Sequence, residues 1–185
     1  MNIPAYRLLR ADSALRWGTH GSALQTPRPA LAGWLLDSGS LTRHLQKLSQ
    51  GAFDVRVLAE GWQRCHLPSL PASLVSAGRS RVMWSRQVVL YGCGEPWVVA
   101  HTLIPVTSLR GSLRQLKALN ETPLGAFLFR QRQIRRGGME TALSGEGIWG
   151  RRSIFFRENR PLLVAEFFLP ELINRLEHDP PRRGN

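Results

Sequence analysis

A chain of 185 residues, 43 % hydrophobic and 21 % charged, carries enough apolar side chains to build a core without disulfide or metal staples. No stretch approaches the roughly 18 consecutive apolar residues of a membrane span, and Cys65 and Cys93 stand in no CxxC or His-rich spacing, which removes zinc and dithiol motifs. The net charge of +12, carried by 23 Arg against 2 Lys, is what a polyanion binder would show, but the Arg residues are scattered from Arg7 to Arg183, so general solubility is the expectation and no nucleic-acid partner is expected.

Residues 1–30 are polar and Pro-containing, ending in Thr26-Pro27-Arg28-Pro29, and are expected to form a partly irregular arm. They hold no apolar segment of a secretory signal, so a cytoplasmic monomer with no membrane insertion is expected. One domain should span 31–178, and the polar segment 179–185 (DPPRRGN) should be a disordered tail. Within the domain, Leu31, Trp34, Leu35, Leu41, Leu45 and Leu48 have helical spacing, broken at Asp37-Ser38-Gly39-Ser40. Ser40 then caps a second helix from Leu41. Phe53 to Trp62 alternates as a strand. A Pro- and Ser-rich loop covers 67–78. Arg81 to Tyr91 and Pro96 to Pro105 form a hairpin around Gly92-Cys93-Gly94-Glu95.

The spacing of Leu109, Leu113, Leu116 and Leu119 predicts another helix. Thr122-Pro123 reads as a cap with Pro at the first position of a short helix to Phe129. Strands follow at 133–143, with Gly137-Gly138 as a bulge, at 147–157 and at 162–169. Pro170 ends the last strand ahead of a C-terminal helix from Glu171 to Glu177. The sum is an α+β fold: a single antiparallel sheet of about six strands, helices packed on it, and two helix-turn-helix pairs. No internal sequence repeat is visible.

Two charges stand out by parity. Leu162, Val164, Glu166 and Phe168 point one way from the last strand, and Trp84, Arg86, Val88 and Leu90 share one face of the hairpin. A carboxylate and a guanidinium among apolar neighbours each need a partner. Three arrangements satisfy that requirement. The two residues pair with each other, they point to a solvated edge, or they line a dry pocket where Arg86 clamps a carboxylate and Glu166 meets a hydroxyl. His101, flanked by Ala100 and Thr102, reads as structural, while His44 and His66 have no partner at motif spacing. The Trp and Phe residues lie among aliphatic neighbours and are expected in the core. No GxSxG, Walker loop, GxGxxG or HExxH occurs.

The blocks Gly94-Glu95-Pro96-Trp97, Ile104-Pro105-Val106, Thr122-Pro123-Leu124-Gly125, Ile148-Trp149-Gly150-Arg151-Arg152-Ser153, and Pro161-Leu162-Leu163 through Glu166-Phe167-Phe168-Leu169-Pro170 resemble the chorismate pyruvate-lyase family, in its order and spacing, over about residues 31–172. The resemblance implies a lyase that converts chorismate to 4-hydroxybenzoate and pyruvate, the first step of ubiquinone biosynthesis, with no metal or organic cofactor. It implies an internal pocket closed by two helix-turn-helix flaps, expected at 31–48 and 109–129, and inhibition by the retained product. It also implies that Arg86 and the backbone amides of Leu41 and Leu124 bind the ring carboxylate, and that Glu166 meets the hydroxyl as a catalytic residue with Arg86. At Leu41 the family commonly has Met, a departure a backbone contact tolerates. Arg151 or Arg152 is the expected partner of a second carboxylate. The alternative is an effector-binding domain of related fold without catalytic activity. Regulators of that kind place a DNA-binding domain in front, for which the roughly 30 residues before the first flap are too few.

Overall fold

The computed structural model describes residues 15–19, 26–65, 70–78, 80–130 and 134–178. Most of the expected N-terminal arm, the tail 179–185, His66 and the expected strand start at Gln133 lie outside them. Residues 15–19 run along the sheet edge, where Gly18 and Thr141 exchange backbone hydrogen bonds of 3.0 and 2.8 Å.

Helix α1 (Pro29–Leu36) opens on a proline, whose fixed φ suits a first helical turn. It buries Leu31 and Leu35. The following turn is held by Asp37, whose Oδ2 accepts from the Gly39 amide at 3.0 Å. Helix α2 (Leu41–Leu48) then starts with the expected cap: the Ser40 hydroxyl accepts from the Arg43 amide at 3.4 Å. Strand β1 (Phe53–Arg64) follows. The segment expected as a loop over 67–78 instead contains helix α3 (Ala72–Gly78). Seven residues are too few to show a period, but Leu74 is fully buried against Met83, Leu103 and Leu163, and that anchor is enough to fix one turn.

Strands β2 (Val82–Gly92) and β3 (Glu95–Pro105) form the expected hairpin. Its two loop residues, Cys93 and Gly94, have φ of 53° and 82°. That left-handed pair matches the twist of the strands it joins. At Gly92 a Cβ would lie 2.0 Å from the buried Trp97 ring, so only glycine lets the ring pack there. The next segment departs from an α-helix: Val106–Ser108 and Gly111–Ala118 are 3₁₀ helices. Leu113, Leu116 and Leu119 recur every third residue, which is the 3₁₀ period, and all three are buried.

Helix α4 (Leu124–Arg130) begins one residue after Pro123. Strands β4 (Ile134–Leu143), β5 (Trp149–Arg157) and β6 (Arg160–Phe168) complete the sheet, and helix α5 (Pro170–His178) closes the described chain. The β4–β5 register shifts between Arg136 and Met139, so Gly137-Gly138 is a bulge.

All pairings in the six-stranded sheet are antiparallel, in the order β1-β2-β3-β6-β5-β4. A helical pair followed by a three-stranded meander occurs twice, first over α1 to β3, then over the 3₁₀ segment to β6. The sequence carries no repeat, yet the element order does. The two meanders meet where β3 pairs with β6, with Ala100 opposite Glu166. Strands β3 and β6 are buried on both faces, which explains their nearly unbroken apolar sequence.

One face is covered by α1, α2 and α5, which pack Leu31, Leu35, Leu45 and Leu172 on Val88, Val98 and Phe168. The 3₁₀ leucines and Leu128 extend that layer over Ile104, Phe155 and Val164. Each leucine so buried contributes about 1.5–3 kcal/mol. The other face holds Val89, Val99 and Phe167, with Trp17 packed against them.

A cavity between the sheet and two flaps

The two helical pairs lie over the sheet on one face, and α2 and α4 meet at their first turns. A Cβ on Gly125 would stand 2.4 Å from the Thr42 hydroxyl. Glycine is therefore required for the flaps to close on each other. Beneath them lies a cavity of about 50 Å³. It is smaller than the roughly 150 Å³ that admits benzene into a protein interior, so a ring compound enters only if the flaps move.

Arg86, Val88 and Leu90 from β2 line this cavity with Val164 and Glu166 from β6, as the strand parity requires. Leu41 and Leu124 line it as well. Each opens a helix, where the first amides have no intrahelical acceptor. All four residues singled out from the sequence thus border one space.

Arg86 and Glu166 are not paired to each other. Arg86 is 3 % exposed. Its Nε donates to Glu60 Oε1 at 2.6 Å, and its Nη2 donates to the carbonyls of Asn120 and Thr122. Glu166 instead accepts from Arg151 Nε through Oε2 at 2.6 Å. Arg151, 2 % exposed, also donates from Nη1 to the carbonyls of Trp34 and Asp37 at 2.7 and 2.8 Å. Its guanidinium lies 5.5 Å from the Phe168 ring centroid. The two middle strands of the meanders therefore each supply an arginine that holds the turn of one flap by its main-chain carbonyls.

A third guanidinium borders the cavity. Arg136 on β4 donates from Nε to the Ser153 hydroxyl at 3.0 Å and from Nη1 to the carbonyls of Ser38 and Asp37 at 3.0 and 3.4 Å. Burial, and then the neighbouring Arg151, push its pKa below the usual arginine value, and Glu166 and Asp37 oppose that shift. Arg152 was expected as an alternative to Arg151, but it leaves the sheet on the opposite face. There it donates to Glu140 Oε2 at 2.6 Å and stacks 4.6 Å from the centre of Trp17. Adjacent strand residues point to opposite sides, so only one of the pair faces the flaps.

Two groups escaped the sequence reading, one that neutralises a cavity residue and one that borders the cavity itself. Glu60 sits on the edge strand β1 directly across from Arg86, and only the strand register reveals that pairing. Arg136, read with the other scattered arginines as a source of general solubility, sits beside the Gly137-Gly138 bulge. A bulge turns the strand locally and re-aims its side chains. His101 lies on the far face, where its Nε2 is 2.9 Å from the buried Ser85 hydroxyl. His44 lies on the first flap beside Asp37 at 3.2 Å. Cys65 and Cys93 form no disulfide. Among the described residues no helix is long and apolar enough to cross a membrane.

The arrangement suits a flat ligand with an anion at one end and a hydroxyl at the other. Arg86 on β2 and Glu166 on β6 are separated by β3, about 10 Å between backbones at the usual strand spacing. The Nη1 amines of Arg86 and the Oε1 of Glu166 are outside the bonds just described.

A family model described as chorismate lyase matches residues 13–178. The chain is 39 % identical over 159 residues to the "Probable chorismate pyruvate-lyase" of Pseudomonas aeruginosa strain PAO1, covering 80 % of this chain and 88 % of that one. It is 34 % identical over 170 residues to the chorismate pyruvate-lyase of Escherichia coli O1:K1 / APEC, covering 92 % and 97 %. Among solved structures, PhnF of Mycobacterium smegmatis superposes with a TM-score of 0.51 at 12 % identity, over 90 % of this chain and 78 % of that one. That last likeness is one of fold alone.

Proposed function

The chain belongs to the chorismate lyase family, and from that premise we propose how its cavity works as the active site of a chorismate pyruvate-lyase. The enzyme breaks the C3–O bond of chorismate and removes the C4 hydrogen. The ring becomes the aromatic 4-hydroxybenzoate, and the enolpyruvyl group leaves as pyruvate. This is the entry step of ubiquinone biosynthesis. Aromatisation supplies much of the driving force, so the protein has chiefly to position, desolvate and orient its substrate.

In our reading Arg86 and the amides of Leu41 and Leu124 hold the ring carboxylate. Glu166 takes the 4-hydroxyl through Oε1, while Arg151 fixes the other carboxylate oxygen. Glu166 then orients the ring for loss of the C4 hydrogen. The single observation that carries this assignment is that Arg86 and Glu166 border one enclosed space without neutralising each other. A ring carboxylate and a hydroxyl para to it reach in opposite directions, as these two side chains require. Because the resting cavity is so small, we also propose that flap opening limits product release and that 4-hydroxybenzoate inhibits.

We place the reaction in a monomer with no nucleic-acid partner, in the cytoplasm. Two unbridged thiols are in keeping with a reducing compartment, where disulfides are rare. The deciding experiment is to mix the purified protein with chorismate, with no metal added, and follow 4-hydroxybenzoate and pyruvate. Equal amounts of both are expected. Chorismate that binds but stays intact would leave only an effector-binding role.

A further inference from the structure

Three guanidiniums border the cavity, Arg86 and Arg151 buried and Arg136 half-buried, and they differ in what balances them. Arg86 has the Glu60 carboxylate at 2.6 Å and Arg151 has that of Glu166 at 2.6 Å. Among the described residues Arg136 donates to a hydroxyl and two carbonyls, and no carboxylate lies within ion-pair distance of it. A half-buried guanidinium at a cavity wall, with no carboxylate beside it, is suited to meet an anion there. Its pKa is lowered first by burial and then by Arg151, with Glu166 and Asp37 acting in the opposite direction.

Position in the sheet says which anion. The strands run β2, β3, β6, β5, β4 across the cavity floor. They carry Arg86 at one side, Glu166 in the middle and Arg151 next to it, and Arg136 lies beyond. If Glu166 meets the hydroxyl of the ring and Arg86 its carboxylate, the ring runs from β2 towards β6. A substituent ortho to the hydroxyl then projects past Glu166, towards β5 and β4. In chorismate that substituent is the enolpyruvyl ether, which ends in a second carboxylate. The product lacks it.

We propose that Arg136 is the specificity-determining contact for this second carboxylate, so that it favours the dianionic substrate over the monoanionic product. The inference rests on the assignment of Arg86 and Glu166 to the ring above. Arg151 is less suited, because Glu166 and two flap carbonyls already engage it. Arg136 is bonded to the same flap turn through Ser38 and Asp37. A carboxylate arriving there would bridge the sheet to the first flap, and loss of pyruvate would remove that bridge.

Two measurements test this. The first uses the unmodified protein with two product analogues, 4-hydroxybenzoates carrying a carboxymethoxy or a carboxamidomethoxy group at position 3. The acid should inhibit at least about tenfold more tightly than the amide, the usual scale of a charge-assisted contact out of water. Equal inhibition would overturn the inference. The second compares Arg136→Met and Arg136→Lys with the parent. KM for chorismate should rise about tenfold or more in Arg136→Met and less in Arg136→Lys, while the inhibition constant of 4-hydroxybenzoate stays within about twofold. Parallel rises in both constants would mean that Arg136 serves only to hold the flap. Failure of the unmodified protein to turn over chorismate would sink the functional reading itself, a result distinct from either.

Discussion

Arg86 and Glu166 border one cavity from strands β2 and β6, yet each is neutralised by a different partner, Glu60 and Arg151. These two recognition groups are therefore each charge-balanced and held in place before a ligand arrives. Pre-orientation of this kind reduces the ordering cost of binding.

Arg86→Ala should weaken 4-hydroxybenzoate binding by about 2–5 kcal/mol, the range for truncating one member of a desolvated charge pair. Titration calorimetry measures it directly. The rise in Tm given by saturating product, an effect of several degrees at about 100 times Kd, should largely vanish in the same variant. An unaltered product affinity would remove Arg86 from the site.

Glu166→Gln keeps the size and the hydrogen-bonding reach of the side chain but removes its charge. Product affinity should stay within about threefold, while turnover falls by tenfold or more, up to the 10²–10⁴ typical of a lost acid–base group. Turnover within about twofold of the parent would show that Glu166 only shapes the pocket.

Gly125→Ala places a methyl 2.4 Å from the Thr42 hydroxyl oxygen. The flaps should no longer close fully, so kcat/KM should drop while the fold, seen by circular dichroism, persists. Thr42→Ala removes that oxygen, and the double variant should recover part of the loss. Non-additivity in this cycle is the signature of direct contact between the two flaps. Strict additivity would show that they act separately.

A cavity of about 50 Å³ must expand and reclose in each cycle. Rapid mixing of enzyme and chorismate should give a burst of 4-hydroxybenzoate followed by a slower steady rate, as expected where lid opening limits turnover. The absence of a burst would place the slow step at or before chemistry.

Much of this molecule was legible in its sequence because the informative residues act locally. Ser40 caps α2, Cys93-Gly94 turns the hairpin, and Gly137-Gly138 breaks the β4 register. Strand parity singled out Arg86 and Glu166 as charges among apolar neighbours, and the register of β2, β3 and β6 brings them to the same face. What escaped depends on distant parts of the chain. The Glu60 partnership is set by pairing between β1 and β2, and the position of Arg136 by a bulge and by the turn at Ser38. Helix α3 escaped because a single buried leucine, Leu74, sets no period over seven residues, and the 3₁₀ form of Gly111–Ala118 because spacings of three and four look alike over two turns. Of Arg151 and Arg152, the choice required only knowing which one shares the parity of the cavity face.

The order of the strands has a bearing on how the chain reaches its native state. The first meander brings Arg86 but not Glu166, and the second brings Glu166, Arg151 and Arg136 but not Arg86. Each half also depends on the other to fasten its flap: β5 holds the turn after α1, and β2 holds the turn before α4. Neither half alone contains a working pocket. Zippering of β3 to β6, residues some 65 positions apart in the chain, is a slow, non-local event. Recovery of catalysis after dilution from denaturant would accordingly report the last step of folding rather than the first.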